Sequence, residues 1–233
     1  GLAGSYATGT MATDRIVVVS GARTPFVRAR GVFAKVPAST LGGVALRETV
    51  AKAGIDPKLI NECYFGIVSP PPEGSNISRE AMFDSGLPPT IPCTTINRYC
   101  ASSAEAAAAI AAKITSGQIE IGLAGGVESI SSVRALFSQQ ATDYFQDLMR
   151  AKTLGQRLAK LSEFRPQLLT PHAPGIKEPT TGLTMGQSAD LMARLFKVGR
   201  EEQDRFAAES HLKAHAAREA GFYKSHVVAV STP

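Results

Sequence analysis

The run Asn97-Arg98-Tyr99-Cys100-Ala101-Ser102-Ser103 places a thiol where an extended segment gives way to a helix. The start of a helix carries N–H groups without intrahelical partners and the positive end of the macrodipole, so negative charge is stabilised there. A thiolate in such a position has a lowered pKa and is the reactive form of cysteine. The same N–H groups suit the oxyanion that forms when a carbonyl is attacked. The residues after Cys100 are small, which leaves room for a bound group. The chemistry this arrangement supports is covalent catalysis by Cys100. Position alone leaves a second reading open, in which Cys100 is a small apolar filler, as most buried cysteines are.

The other chemistry-bearing residues are less specific. Glu128 closes the turn Gly125-Gly126-Val127-Glu128 and is expected to hold loops by hydrogen bonds rather than to move protons. His211 and His215 stand four apart, a spacing that can bind zinc, but no third ligand is in view and a solvated helix face is expected. No metal and no bound cofactor is predicted. The three cysteines, Cys63, Cys93 and Cys100, show no Cys-x-x-Cys spacing. Free thiols in odd number fit a reducing compartment, and Cys63 and Cys93, in predicted strands, are expected to be inert.

These residues need elements to hold them. Ile16-Val17-Val18-Val19 predicts a strand buried on both faces. Ser39 or Thr40 is expected to cap a helix running to Ala53 and stopped by Gly54. Asp56-Pro57 opens a short helical turn. Strands follow at 63–68 and 93–96, with a helix from Asn76 to Gly86 between them. From Cys100 to Ser116 the chain is largely alanine with Ile110 and Ile114, which predicts a helix buried nearly all round. Ile119 to Glu128 reads as a strand ending in a turn. Beyond Ser132 the pattern turns basic and helical over 137–164, then Pro-rich over 165–182, then helical at 184–196 and 200–220. Val227–Val230 predicts a last strand. The expectation is α/β: a core over 16–132, an inserted helical loop domain over 133–225, and a return strand over 226–233.

Composition narrows the function classes. The 233 residues are 44% hydrophobic and 19% charged, with a net charge of +5, as in an ordinary globular protein. No uninterrupted apolar stretch long enough for a membrane span is present. No Lys/Arg run interleaved with aromatics points to nucleic acid. Residues 1–13 are small and hydroxylic without an acidic residue, which fits either an organellar presequence remnant or a tag ahead of Met11, and 1–15 is set aside from the fold. Arg150, Lys152, Arg157, Lys160 and Arg165 interleave with Leu148, Leu154, Leu158, Leu161 and Phe164. Such a helix can lie on an anionic surface, or it can be an ordinary helix packed on its own domain.

Several ordered motifs together resemble the thiolase family. They are Gly21-Ala22-Arg23-Thr24-Pro25-Phe26, the Asn97-to-Ser103 run with its small-residue helix, Ala124-Gly125-Gly126-Val127-Glu128-Ser129-Ile130-Ser131, and Thr184-Met185-Gly186-Gln187-Ser188-Ala189. Ile130 stands where the family usually has Met, and Thr184 where it often has His. The resemblance implies the N-terminal half of the fold, a βαβαβαββ mixed sheet with a buried helix, plus a loop domain. It implies a Cys100 nucleophile that carries an acyl group in the cleavage or condensation of coenzyme A thioesters, with coenzyme A as substrate. Met185 falls at a position near the acyl and pantetheine pocket, with Asn97, Gly125, Gly126 and Glu128 as structural support.

Within the family, Leu154-Gly155-Gln156-Arg157-Leu158 through Arg165 resembles the β-subunit of the mitochondrial trifunctional β-oxidation complex. That implies long-chain 3-ketoacyl-CoA substrates, a matrix or inner-membrane location, and contact of 147–165 with a membrane or an α-type partner subunit. A peroxisomal or cytoplasmic location is the alternative. Members are usually dimers or tetramers. The family's catalytic His and second Cys lie in a C-terminal half whose motifs do not occur in these 233 residues. The chain therefore reads as a half enzyme that needs that half, in the same or a separate chain. The competing reading is an inactive structural subunit that keeps the fold.

Overall fold

The computed structural model describes residues 16–134, 136–171 and 177–232. The expected leader over 1–15, and His172, lie outside the described residues. The chain divides into two compact units. One takes the residues through Val133 and those from Arg218 on; the other is Arg134–Ala217.

The first unit is a parallel sheet with helices on both faces. Helix α1 (Ala38–Ala53) precedes strand β1 (Glu62–Gly66); α2 (Ile77–Ser85) leads to β2 (Cys93–Ile96); α3 (Ser102–Thr115) leads to β3 (Gly122–Gly126). The strand order is β2-β1-β3, with β1 parallel to both neighbours. Parallel strands need crossovers, and α2 and α3 provide them. Alternation along β1 sorts the layers. Cys63 and Phe65 enter a core with Leu46 and Val50 of α1, Met82 of α2 and Leu123 of β3. Glu62 and Tyr64 face the other way, where Lys113 of α3 pairs with Glu62 at 2.7 Å and lies over the Tyr64 ring.

The helix boundaries follow local chemistry. Asn76 accepts a hydrogen bond from the Arg79 amide and so caps α2. Gly54 and Gly86 end α1 and α2 in the left-handed conformation. Asp56 accepts from the Lys58 amide and Pro57 opens a short 3-10 turn, as expected. The cap expected at Ser39 or Thr40 is instead Pro37, with no side-chain bond, and Thr40 donates to Asp84 of α2 at 3.1 Å.

Two expected strands do not join the sheet. Ile16–Val19 has no regular structure and is exposed, Val18 at 92%. A strand forms only against a partner, and β propensity alone does not supply one. Of the expected return strand over 226–233, only a single bridge forms: Val227 opposite Arg23, with the Arg23 amide donating to the His226 carbonyl at 2.8 Å.

The second unit is helical. The basic region is not one helix but two, α4 (Gln139–Arg150) and α5 (Leu154–Ser162), broken at Ala151–Thr153. Thr153 and Gln156 form a capping box that restarts the helix. Lys160 of α5 reaches back to Asp147 of α4 at 3.5 Å, and Tyr144 meets Phe164 at 5.9 Å between ring centroids. Helix α6 (Met185–Leu195) and helix α7 (Arg200–Glu219), whose last residues belong to the first unit, follow. No residue of α5, α6 or α7 is fully buried. No helix among the described residues is long and apolar enough to cross a membrane.

Candidate functional site

Cys100 sits on a tight turn between β2 and α3. Tyr99, just before it, has φ +48°, a left-handed conformation that costs a non-glycine residue roughly 1–2 kcal/mol. The turn is closed by the Ala101 amide donating to the Arg98 carbonyl and the Ser102 amide donating to the Tyr99 carbonyl, both at 3.1 Å. Buried Ser102 pins it: its hydroxyl donates to the Tyr99 carbonyl at 2.6 Å and accepts from the Arg98 amide at 2.9 Å. Asn97 adds a second pin, accepting from the Tyr99 amide at 3.1 Å and donating to the Val68 carbonyl at 3.0 Å. The four hydrogen bonds to Ser102 and Asn97 hold Tyr99 in that conformation. The result is an exposed thiol two residues ahead of the first residue of α3.

The loops beside this turn are tied to it. The Glu128 carboxylate accepts from the Val68 amide at 2.8 Å and the Ser69 amide at 3.3 Å, while the Val127 amide donates to the Gly66 carbonyl at 2.9 Å. Asn97 and Glu128 thus grip one short segment, Val68–Ser69, from two sides. The glycines let α3 come close. A Cβ at Gly126 would collide with the Ser103 hydroxyl and lie 2.8 Å from the Gly66 carbonyl. One at Gly66 would lie 2.6 Å from Ser102. Gly125 faces the opposite layer, against the Phe65 ring. The start of α3 therefore rests on bare backbone at the ends of β1 and β3.

The structure brings Cys100, Asn97, Gly126 and Glu128 into one hydrogen-bonded neighbourhood, with Gly125 behind them. Met185 belongs to the second unit, as the first residue of α6, and is 61% exposed. Thr184 before it forms a capping box with Gln187, which accounts for threonine at that position. Two expectations need correction. Helix α3 begins at Ser102 rather than at Cys100. It is also buried on one face only, through Ser102, Ala106 and Ile110, because only that face meets the sheet. Sequence reasoning missed Tyr99, Ser102 and Gly66. Serine at the first helical position was a visible signal; the left-handed tyrosine had none.

A cleft of about 1140 Å³ opens along the free edge of β3, between Ile16–Val19, α1 and α3. Gly125, Gly126 and Glu128 line it but Cys100 does not, so it reflects the unpaired edge rather than the site around the thiol.

Strand, turn, exposed cysteine and helix start together make a candidate nucleophile site on a parallel α/β sheet. The family model described as the N-terminal domain of thiolase matches residues 16–233, and the chain belongs to that family. It is 40% identical to a 3-ketoacyl-CoA thiolase of Pectobacterium carotovorum over 220 residues, which is 94% of this chain and 50% of that one. A 3-ketoacyl-CoA thiolase of Vibrio cholerae is 38% identical with the same coverage. The crystal structure of the Bacillus anthracis acetyl-CoA acetyltransferase superposes with a TM-score of 0.73 at 26% identity, covering 91% of this chain and 50% of that one. The chain thus spans about half the length of the relatives it matches.

Proposed function

We propose that this chain is the nucleophile-carrying half of a 3-ketoacyl-CoA thiolase, an acyltransferase of fatty-acid degradation with coenzyme A as co-substrate. The observation that carries this reading is the pinned turn that presents Cys100 ahead of α3. In the cleavage direction the Cys100 sulfur adds to the 3-keto carbon, and the negative charge on its oxygen is held by N–H donors. The C2–C3 bond then breaks, leaving the acyl group on sulfur and a two-carbon thioester enolate that takes a proton. A coenzyme A thiol, once deprotonated, attacks the acyl-sulfur carbonyl and restores Cys100. Asn97, Glu128, Gly125 and Gly126 position the turn. The base, the acid and the remaining oxyanion donors are assigned to a C-terminal half, in the same or a separate chain.

The finer reading is a long-chain enzyme of the trifunctional type, mitochondrial, oligomeric, with Met185 against the acyl or pantetheine group. It rests on the motif over 154–165, the composition of 1–13 and the exposed leucines of α5. The test is to add acetoacetyl-CoA, without free coenzyme A, to the complete protein and digest it. An acetyl group should appear on the tryptic peptide Tyr99–Lys113. Cys100→Ala should lose it with the fold intact by circular dichroism. An acetyl group retained elsewhere in that variant would overturn the assignment.

A further inference from the structure

Two thiols that the chemistry at Cys100 does not use stand side by side on neighbouring strands. Cys63 on β1 and Cys93 on β2 are direct partners in the parallel register. Neighbouring strands lie ~4.7–4.9 Å apart, within the ~4.4–6.8 Å that separates the Cα atoms of a disulfide. Cys63 is fully buried and Cys93 half-buried, so the pair has one hidden and one reachable member. Ser78 of α2 donates to the Cys63 sulfur at 3.5 Å, and the Cys93 thiol lies 3.3 Å from the Ile91 carbonyl. We propose that Cys63 and Cys93 are a reversible modification site, closed to a disulfide by a hydroperoxide and reopened by thiols.

The order of events follows from the surroundings. The hydrogen bond with Cys63 lowers the Cys93 pKa to about 7; Ser78 and Arg79 also lower it, against the burial that raises it. The hydrogen bond with Cys93, and then burial, push Cys63 far up. Cys93 is therefore the attacking thiolate. Its sulfur forms a bond to a peroxide oxygen, the O–O bond breaks, and the departing oxygen leaves as water or alcohol after taking a proton. Cys93 is now a sulfenic acid. The Cys63 sulfur attacks it, the S–S bond forms, the S–O bond breaks, and the hydroxide leaves as water with the Cys63 proton. Two electrons have passed from two sulfurs to one peroxide.

Side chains of adjacent parallel residues run side by side, so their Cβ atoms start about 1 Å farther apart than the ~3.8 Å typical of disulfides. Closing the bond strains β1 and β2, and strained disulfides are the readily reduced, labile kind. Strand β2 ends at Ile96, directly before Asn97 and the Cys100 turn. Closure pulls on the strand that carries the nucleophile.

The three cysteines fall on separate tryptic peptides, 59–79, 80–98 and 99–113, which makes the test direct. The complete native protein is treated with hydrogen peroxide, free thiols are blocked, and the digest is read by mass. Peptides 59–79 and 80–98 should appear joined, about 2 Da lighter than their sum, and separate again after dithiothreitol. With the Cys93 pKa lowered below that of an ordinary thiol, the initial rate should rise with pH and level off at a lower pH than the labelling of an ordinary free thiol does. Cys100→Ser should leave the joined product unchanged, and Cys63→Ser should replace it by sulfinic acid on 80–98. Sulfinic acid on 80–98 with free thiol on 59–79 in the unsubstituted protein would overturn the proposal. So would two free thiols while 99–113 is oxidised, or equally fast joining in urea. The unsubstituted protein alone decides between these outcomes, even where Cys63→Ser does not fold.

Discussion

At Gly126 a single methyl group decides how closely α3 can sit on the sheet. Its absence lets the Ser103 hydroxyl and the Gly66 carbonyl approach. Ser103 can rotate away; a strand carbonyl cannot. Gly126→Ala should cost about 1–3 kcal/mol, the usual range for overpacking, and should slow acylation of Cys100 by moving the first turn of α3. Gly155 is the control. It lies in α5 with nothing within 4 Å of an added Cβ, so Gly155→Ala should be neutral or stabilise by up to ~1 kcal/mol. Chemical denaturation of both variants checks the pair, and equal effects would remove the close-approach argument. The identity of these residues was readable in the sequence, since thiol, glycines and Glu128 lie in compact motifs. Their partners were not. Glu128 binds amides 60 and 59 positions away, and no local pattern encodes such a contact. The left-handed Tyr99 was equally hidden, because a tyrosine at positive φ exists only when its neighbours enforce it.

Elements with local start and stop chemistry were legible. Asn76 and Gly86 bracket α2, and Cys93–Ile96 forms the expected strand without adjustment. Elements whose existence depends on a neighbour were not. Ile16–Val19 and Val227–Val230 have strand composition, but the first joins no ladder and the second makes a single bridge, to Arg23, so neither becomes a strand. The basic region shows a third case: periodicity ran through Ala151–Thr153, and the capping box of Thr153 with Gln156 overrode it. This changes which cations can meet an outside surface. Lys160 is engaged with Asp147 and Glu163, and Arg157 donates to the Ala151 carbonyl at 3.1 Å. Arg150 and Lys152 are exposed beside exposed Met149 and Leu154. If α4 and α5 dock on an anionic membrane, reversing Arg150 and Lys152 to Glu should weaken cosedimentation with cardiolipin-containing vesicles roughly tenfold or more, at about 1 kcal/mol per charge. The difference should shrink at high salt. Unchanged cosedimentation would leave these helices as packed surface alone.

Among the described residues, large apolar side chains stand exposed in both units. Val17, Val18 and Val19 are exposed, and α3 shows solvent an alanine face. The chain also spans half the length of its relatives. The proposed thiolase chemistry divides in the same way: Cys100 is its nucleophile, and turnover also needs a base and an acid, each contributing ~10²–10⁴-fold. The 233 residues alone should therefore show no sustained cleavage of acetoacetyl-CoA or of a long-chain 3-ketoacyl-CoA. Adding a C-terminal half should restore it. Robust turnover by the lone chain would mean that a base within it carries the reaction. Silence even with the second half added would favour a structural subunit.

The central position of β1 also bears on how the protein is made. Cys63 pairs with Cys93, 30 positions later, and with Leu123, 60 positions later. No hairpin can bridge either interval. At the ~5–20 residues per second of synthesis, the central strand waits about 3–12 seconds for its second neighbour to be polymerised. Through that interval a strand carrying Cys63, Tyr64 and Phe65 has a bare edge, open to other nascent chains. The sheet is therefore closed from its centre outward, and last on the side of β3.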